Sequence, residues 1–168
     1  MTAPSFCLAS AGAFFLVGLA TGTWKYACIA TSRDARAPSY VDTAHRASLM
    51  YAFACGLLGQ LAAHSAWRDA VNLAASVVLV VFFAASVLGY VVHGVLRDTD
   101  NQLAHPHRLG ARTIPRSAML VFMVSLVVAE LGSFVVIFTG LWGANTPSGV
   151  QAARSSSDGG ARAAAAKL

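Results

Sequence analysis

The sequence predicts an all-α integral membrane protein, a single bundle of four transmembrane helices. Three observations point there. Of the 168 residues, 57% are hydrophobic and only 11% are charged, where a soluble domain carries about 25% charge. The few charges are segregated, leaving long stretches almost free of them. A spanning helix needs about 20 apolar residues, because the hydrocarbon layer is about 30 Å thick and each residue rises about 1.5 Å. Four stretches meet that length.

The first span is expected at 6–29. Residues 1–5 contain no Lys or Arg, so the basic leader of a secretory signal is missing and a retained helix is expected. The second span is expected at 47–66 and the third at 70–96. Only Trp67, Arg68 and Asp69 separate them, so these two form an antiparallel hairpin. The fourth span is expected at 118–142. Val77 to Ala85 is apolar without the alternation of a barrel strand, which excludes that architecture. Residues 1–144 therefore read as one four-helix transmembrane domain. Residues 145–168 turn to Gly, Ser and Ala with scattered Arg, and a disordered tail is expected there. No internal repeat is visible.

Basic residues set the expected topology. Four spans place both termini and the short hairpin turn on one face. The opposite face carries Arg33, Arg36, Arg46, Arg97, Arg108, Arg112 and Arg116. The chain is thus read as a multi-pass protein of the inner (cytoplasmic) membrane, with loops 31–43 and 97–117 in the cytoplasm. The net charge of +5 is a lipid and topology signal. No nucleic-acid partner is expected, since neither interleaved aromatics nor a recognisable module accompanies the basic residues. Cys7, Cys28 and Cys55 form no CxxC pair, which excludes disulfide exchange by that motif. They read as small buried hydrophobes.

The hairpin brings chemistry to one rim. With its turn centred near Arg68, antiparallel geometry places His45 and Arg46 level with Tyr90. His93 lies one turn beyond Tyr90 on the same face. The first helix ends on that side with Trp24, Lys25 and Tyr26. His45, Arg46, Tyr90, His93, Arg97 and Lys25 are therefore expected at one membrane rim. Singly, such residues are ordinary interfacial anchors. As a set they suit haem: a neutral imidazole binds iron, basic side chains hold carboxylates, and a phenol donates a proton. Small residues Ala54, Gly56 and Gly59 permit close helix packing.

The Ala44-His45 pair opening the second helix resembles styrene oxide isomerase, a family of small four-helix membrane enzymes. So does Gly89-Tyr90 late in the third helix, at a matching separation from His45. Gly18-Leu19 is similar to a Gly-Leu-Trp of the first helix, with Ala20 in place of Trp. The resemblance covers the four-helix region loosely and the middle two helices closely. It implies haem b, with His45 as the iron ligand and Lys25, Arg46 and Arg97 toward its carboxylates. It implies rearrangement of a small apolar aryl or alkyl epoxide to a carbonyl compound, with ferric haem as Lewis acid. Tyr90 would hydrogen-bond the substrate oxygen and Tyr51 would orient it. It also implies a homo-oligomer, a trimer. The chain departs from the family at Tyr51, where the family has asparagine, and at Phe82, where it has aspartate.

Two other features carry potential chemistry. Glu130 lies mid-span in the fourth helix, where an ionised carboxylate costs roughly 2.5–3.5 kcal/mol on insertion scales. It reads either as a proton or ion site, or as a protonated group bonded to a neighbouring helix. The 97–117 loop holds Asp98, Asp100, Asn101, His105 and His107, without zinc or calcium spacing, and reads as a solvated loop. No phosphate loop, nucleophile elbow or HExxH motif occurs. Against the isomerase stand two alternatives. One is a non-catalytic membrane haem protein or small proton or ion transport component using Glu130. The other is a structural bundle whose rim residues are anchors.

Overall fold

In the computed structural model, which describes residues 1–144, the chain is all-helical apart from one two-residue hairpin. The four helices are α1 (Ala3–Thr31), α2 (Ser39–Ala63), α3 (Asp69–Leu96) and α4 (Arg116–Ala144). The tail expected at 145–168 lies outside the described residues. Three helices, α1, α3 and α4, are long and apolar enough to cross a membrane. The fourth, α2, falls short of that measure. Its apolar run is cut by Arg46 near one end and Gln60 near the other.

Local chemistry sets the helix ends. Thr2 and Ser5 form a reciprocal capping box at the start of α1, which satisfies backbone N–H groups that have no partner inside the helix. The Ala3 N–H donates to Asp69 Oδ1 at 2.9 Å, tying this end to the start of α3. α2 begins at Ser39, well before the expected 47, so the first connection is shorter than predicted. Pro38 precedes it, and Asp42 in its first turn opposes the positive end of the helix dipole. A tertiary contact completes the reason: Asp42 pairs with Lys25 of α1 at 2.5 Å. α3 ends where Arg97 turns left-handed, with φ 49°. α4 begins just after Pro115, whose ring cannot sit inside a helix.

α1 and α2 pack chiefly on each other, and α3 packs on α2 and on α4. The core runs between them through Cys7, Phe14, Ala52, Cys55, Leu58, Leu79, Phe83 and Ile137. Cys7 and Cys55 are buried and all three cysteines are free, in line with their reading as small hydrophobes. Near its end α4 rests on the turn between α2 and α3. The Gly140 carbonyl accepts the Ala66 N–H at 3.0 Å. A Cβ at Gly140 would overlap the Ser65 side chain, so this approach requires glycine.

Outward faces are apolar. Leu8, Phe53, Val128 and Leu131 are each more than three-fifths exposed. Contiguous apolar surface of this kind suits hydrocarbon rather than water. The connection between α3 and α4 is folded in part, while Asp100, Asn101 and His105 are exposed as expected. It contains the hairpin β1 (Arg108–Leu109) and β2 (Arg112–Thr113). His107, expected in solvent, is 6% exposed and bonded through Nδ1 to the Gln102 carbonyl.

Candidate functional site

The turn joining α2 and α3 spans 64–68, so it centres before Arg68 and shifts the register. Two stacked ring pairs fix it: Tyr40 with Tyr90, 6.0 Å between centroids, and Tyr51 with Phe83, 4.0 Å. Tyr40, not His45, is the α2 residue against Tyr90. The expected rim set divides into two clusters, one toward α1 and one toward the α3–α4 connection.

His45 belongs to the first. Its Nδ1 lies 2.8 Å from the Gly18 carbonyl oxygen of α1. A carbonyl only accepts, so Nδ1 carries the proton. The neutral ring then presents Nε2 as a lone pair, with no hydrogen-bond partner among the described residues. The imidazole lies in a notch made by Gly22, where a Cβ would come within 2.8 Å of its Cε1. Beside it, Asp42 bridges Lys25 and Arg46, the latter at 3.3 Å. Lys25, His45 and Arg46 thus share one face at the α1–α2 seam.

Gly22→Val is expected to force the imidazole out and break the Gly18 bond. By the usual cost of overpacking, the loss is about 1–3 kcal/mol. Gly12→Val is the control, because a Cβ there meets nothing within 4 Å. Unfolding in detergent should separate the two variants, and equal midpoints would show that the notch is not tight.

The haem test can be applied to this cluster. A metal-binding histidine commonly donates its other ring N–H to a backbone carbonyl, which fixes the tautomer and orientation. His45 has that arrangement. The Lys25 and Arg46 cations flanking it suit carboxylates. Arg97 does not join them; it closes α3 and lines a polar cleft with Tyr40, His93, Asp98 and Asp100. Among the described residues no group of three or more His, Cys, Asp or Glu stands ready for a metal ion. Any iron site would rest on His45 alone plus a group it brings with it.

The second cluster begins with a pocket of about 120 Å3 between α2, α3 and α4. Tyr51, Ser86, Gly89 and Tyr90 form one side of it, and Phe122, Met123 and Leu126 the other. Tyr51 and Tyr90 therefore line one pocket. His45 is not part of this wall. Glu130 lies within electrostatic reach of both phenols. Its Oε1 is buried and without a hydrogen-bond partner among the described residues. Neither Ser125 nor Ser133 of the same helix satisfies that atom.

Beyond the pocket lies a pair that sequence reasoning missed. His93, 5% exposed, meets Asp98 through Nδ1 and Oδ1 at 2.8 Å. Asp98 Oδ2 accepts the Gly110 N–H at 2.5 Å. Burial alone would raise the Asp98 carboxyl, but the Gly110 N–H and the His93 ring outweigh it and hold it below the usual range. Tyr40 leans over His93, 5.1 Å between ring centroids. Its hydroxyl accepts the Gln102 N–H at 2.6 Å. The available signal was the spacing: an aspartate five residues after a histidine reaches back only if the helix ends sharply between them. His64 is exposed at the far end of α2, with Nδ1 on the Gln60 carbonyl.

No family model matches the chain, and no curated protein or solved structure shows significant similarity to it.

Proposed function

We propose that this chain is a small membrane isomerase that binds haem b through His45 and rearranges an aryl or alkyl epoxide to a carbonyl compound. The observation that carries the reading is the locked tautomer of His45, which leaves Nε2 as a free lone pair in the Gly22 notch. Lys25 and Arg46 would hold the carboxylates of the group. When bound, ferric haem would supply a Lewis acid for the epoxide oxygen.

The rest of the chemistry falls to the chain. Tyr90 and Tyr51 line one small pocket, where Tyr90 would donate a hydrogen bond to the substrate oxygen and Tyr51 would orient it. Phe122, Met123 and Leu126 keep water from the carbon that becomes electron-poor as the ring opens. The isomerisation moves no net electrons, so no further redox partner is required. His45 faces α1 while the tyrosine pocket lies toward α4. The reading therefore includes a homo-oligomer, a trimer by the resemblance, as the form in which the site is completed.

In this reading α2 is the fourth span, sheltered by the three more apolar helices in the inner membrane. The 97–117 connection faces the cytoplasm, because its arginines resist translocation. Asn101→Cys in a cysteine-free background should resist an impermeant thiol reagent added outside intact cells. Ready labelling would reverse the orientation. For the activity, protein purified in detergent from haem-replete cells should show a Soret band and convert an aryl epoxide to an aldehyde. A colourless preparation would remove this reading.

A second reading is favoured by one specific observation. The buried Oε1 of Glu130, without a hydrogen-bond partner among the described residues, suits a proton site in a transport component. Glu130→Gln separates the two. It should leave epoxide turnover within about tenfold of wild type if the carboxyl only tunes the pocket. It should abolish proton uptake into proteoliposomes if the second reading is right.

A further inference from the structure

The His93–Asp98 pair is built like an acid–base dyad, yet the proposed isomerase has no use for it. Asp98 is 5% exposed on its side chain and accepts two hydrogen bonds, from the Gly110 N–H and from His93. An ionised carboxylate is acceptor-only, so Nδ1 of His93 must be the donor. In the neutral ring Nε2 is then a lone pair, and no described residue donates to it. Nε2 is not among the fully buried unpartnered atoms, so it keeps the access that a ligand O–H needs.

The surroundings supply a place for one. His93 and Gln102 reach a cavity of about 190 Å3, walled by Ile114, Ala118, Met119 and Phe122. Gln102 is held there by the Tyr40 hydroxyl, which accepts its backbone N–H. Two polar side chains thus meet an otherwise apolar chamber. A cavity of about 150 Å3 is enough for benzene, so this one takes a benzene ring bearing one small substituent. Phe122 offers a ring face or edge, and the Met119 thioether makes favourable contacts with aromatic rings.

We infer that this chamber is a binding site for a small phenol or aryl alcohol, whose O–H donates to Nε2 of His93. The site is separate from His45 and does not depend on haem. Asp98 acts through His93 as a positioning residue: it holds the tautomer that accepts. The Gln102 side chain is the second polar group available to the ligand oxygen. A ligand of this kind dissolves in the bilayer, and α4, which forms one wall, is the helix with the most open packing.

The experiment is fluorine NMR on the full chain in detergent, with 4-fluorophenol and 4-fluorotoluene as probes of nearly equal shape. The wild type should bind the phenol about tenfold more tightly than the toluene, by the usual worth of one buried hydrogen bond. His93→Leu should bind both equally, with the toluene affinity kept as proof that the chamber is intact. Asp98→Asn provides a test that conserves shape. Its oxygen must face the Gly110 N–H, so its amide turns to Nδ1 and Nε2 becomes the donor. The preference should then pass to 4-fluoroanisole, which only accepts. Equal binding of phenol and toluene to the wild type would overturn the proposal, leaving detergent partition as the cause. So would a phenol preference that survives both substitutions, or failure of the wild type to bind either probe.

Discussion

His45→Ala should lose most of its haem while still inserting at normal yield. Insertion depends on apolar length, and removing one imidazole from the α1–α2 seam leaves that unchanged. The rivals are weaker on structural grounds. His93 is 5% exposed and joined through Asp98 to the folded α3–α4 connection, which a macrocycle would have to displace to reach it. His64 lies at the other end of α2, about 28 Å from His45 at 1.5 Å per residue. His107 is also buried, with Nδ1 on the Gln102 carbonyl. Only His45 combines a fixed tautomer, a free Nε2 and flanking cations. His93→Ala should therefore retain haem. The measurement is haem per chain in the two variants and in wild type, with membrane yield as control. Full retention in His45→Ala would withdraw the main support for the isomerase reading. Loss confined to His93→Ala would move the iron site to the α3–α4 side.

The parts legible in the sequence were those governed by apolar length. The ends of α1, α3 and α4 fall within a few residues of the spans at 6–29, 70–96 and 118–142. α2 was misplaced at its start because Ser39, Asp42 and Thr43 carry no hydrophobic signal. That turn is helical through Pro38 before it and Lys25 on another helix, and a pattern along one segment cannot report a partner elsewhere. The same limit applied to the site. Tyr51 and Tyr90 line one pocket, but only the resemblance had joined them; the hairpin register had grouped Tyr90 with His45 instead. The partner of His45 is a backbone carbonyl, which every residue has, so no residue type announced it. Tyr40 was overlooked because a small shift in the turn moved it opposite Tyr90. Asp98 was assigned to solvent because its burial depends on a left-handed Arg97 and on the hairpin glycine, Gly110, that donates to it.

Asp98→Ala should release the connection between α3 and α4. In the native chain one carboxylate joins the last turn of α3 to the hairpin turn, through His93 and Gly110. Removing it leaves a buried imidazole N–H and a backbone N–H without their acceptor. At roughly 1–3 kcal/mol for a buried donor left unpaired, local opening should become about ten to a hundred times more frequent. Arg108 and Arg112 lie exposed in the hairpin, so trypsin reports that opening directly. Cleavage there should quicken by the same factor when reclosing outpaces cutting, while α1 and α2 stay intact. Acid should mimic the substitution. The Asp98 carboxyl is held below its ordinary value, so its stabilisation is fully present above the unfolded value of about 3.9. It is lost as the pH falls through the folded value. Asp100 is the other carboxylate that shares the cleft with His93 and Asp98. Asp100→Asn is therefore the required control, and it should leave the acid-induced opening in place. The opening is best followed by acid-active proteolysis or hydrogen exchange at Gly110. An acid profile identical in wild type and Asp98→Ala would show that another group holds the connection down.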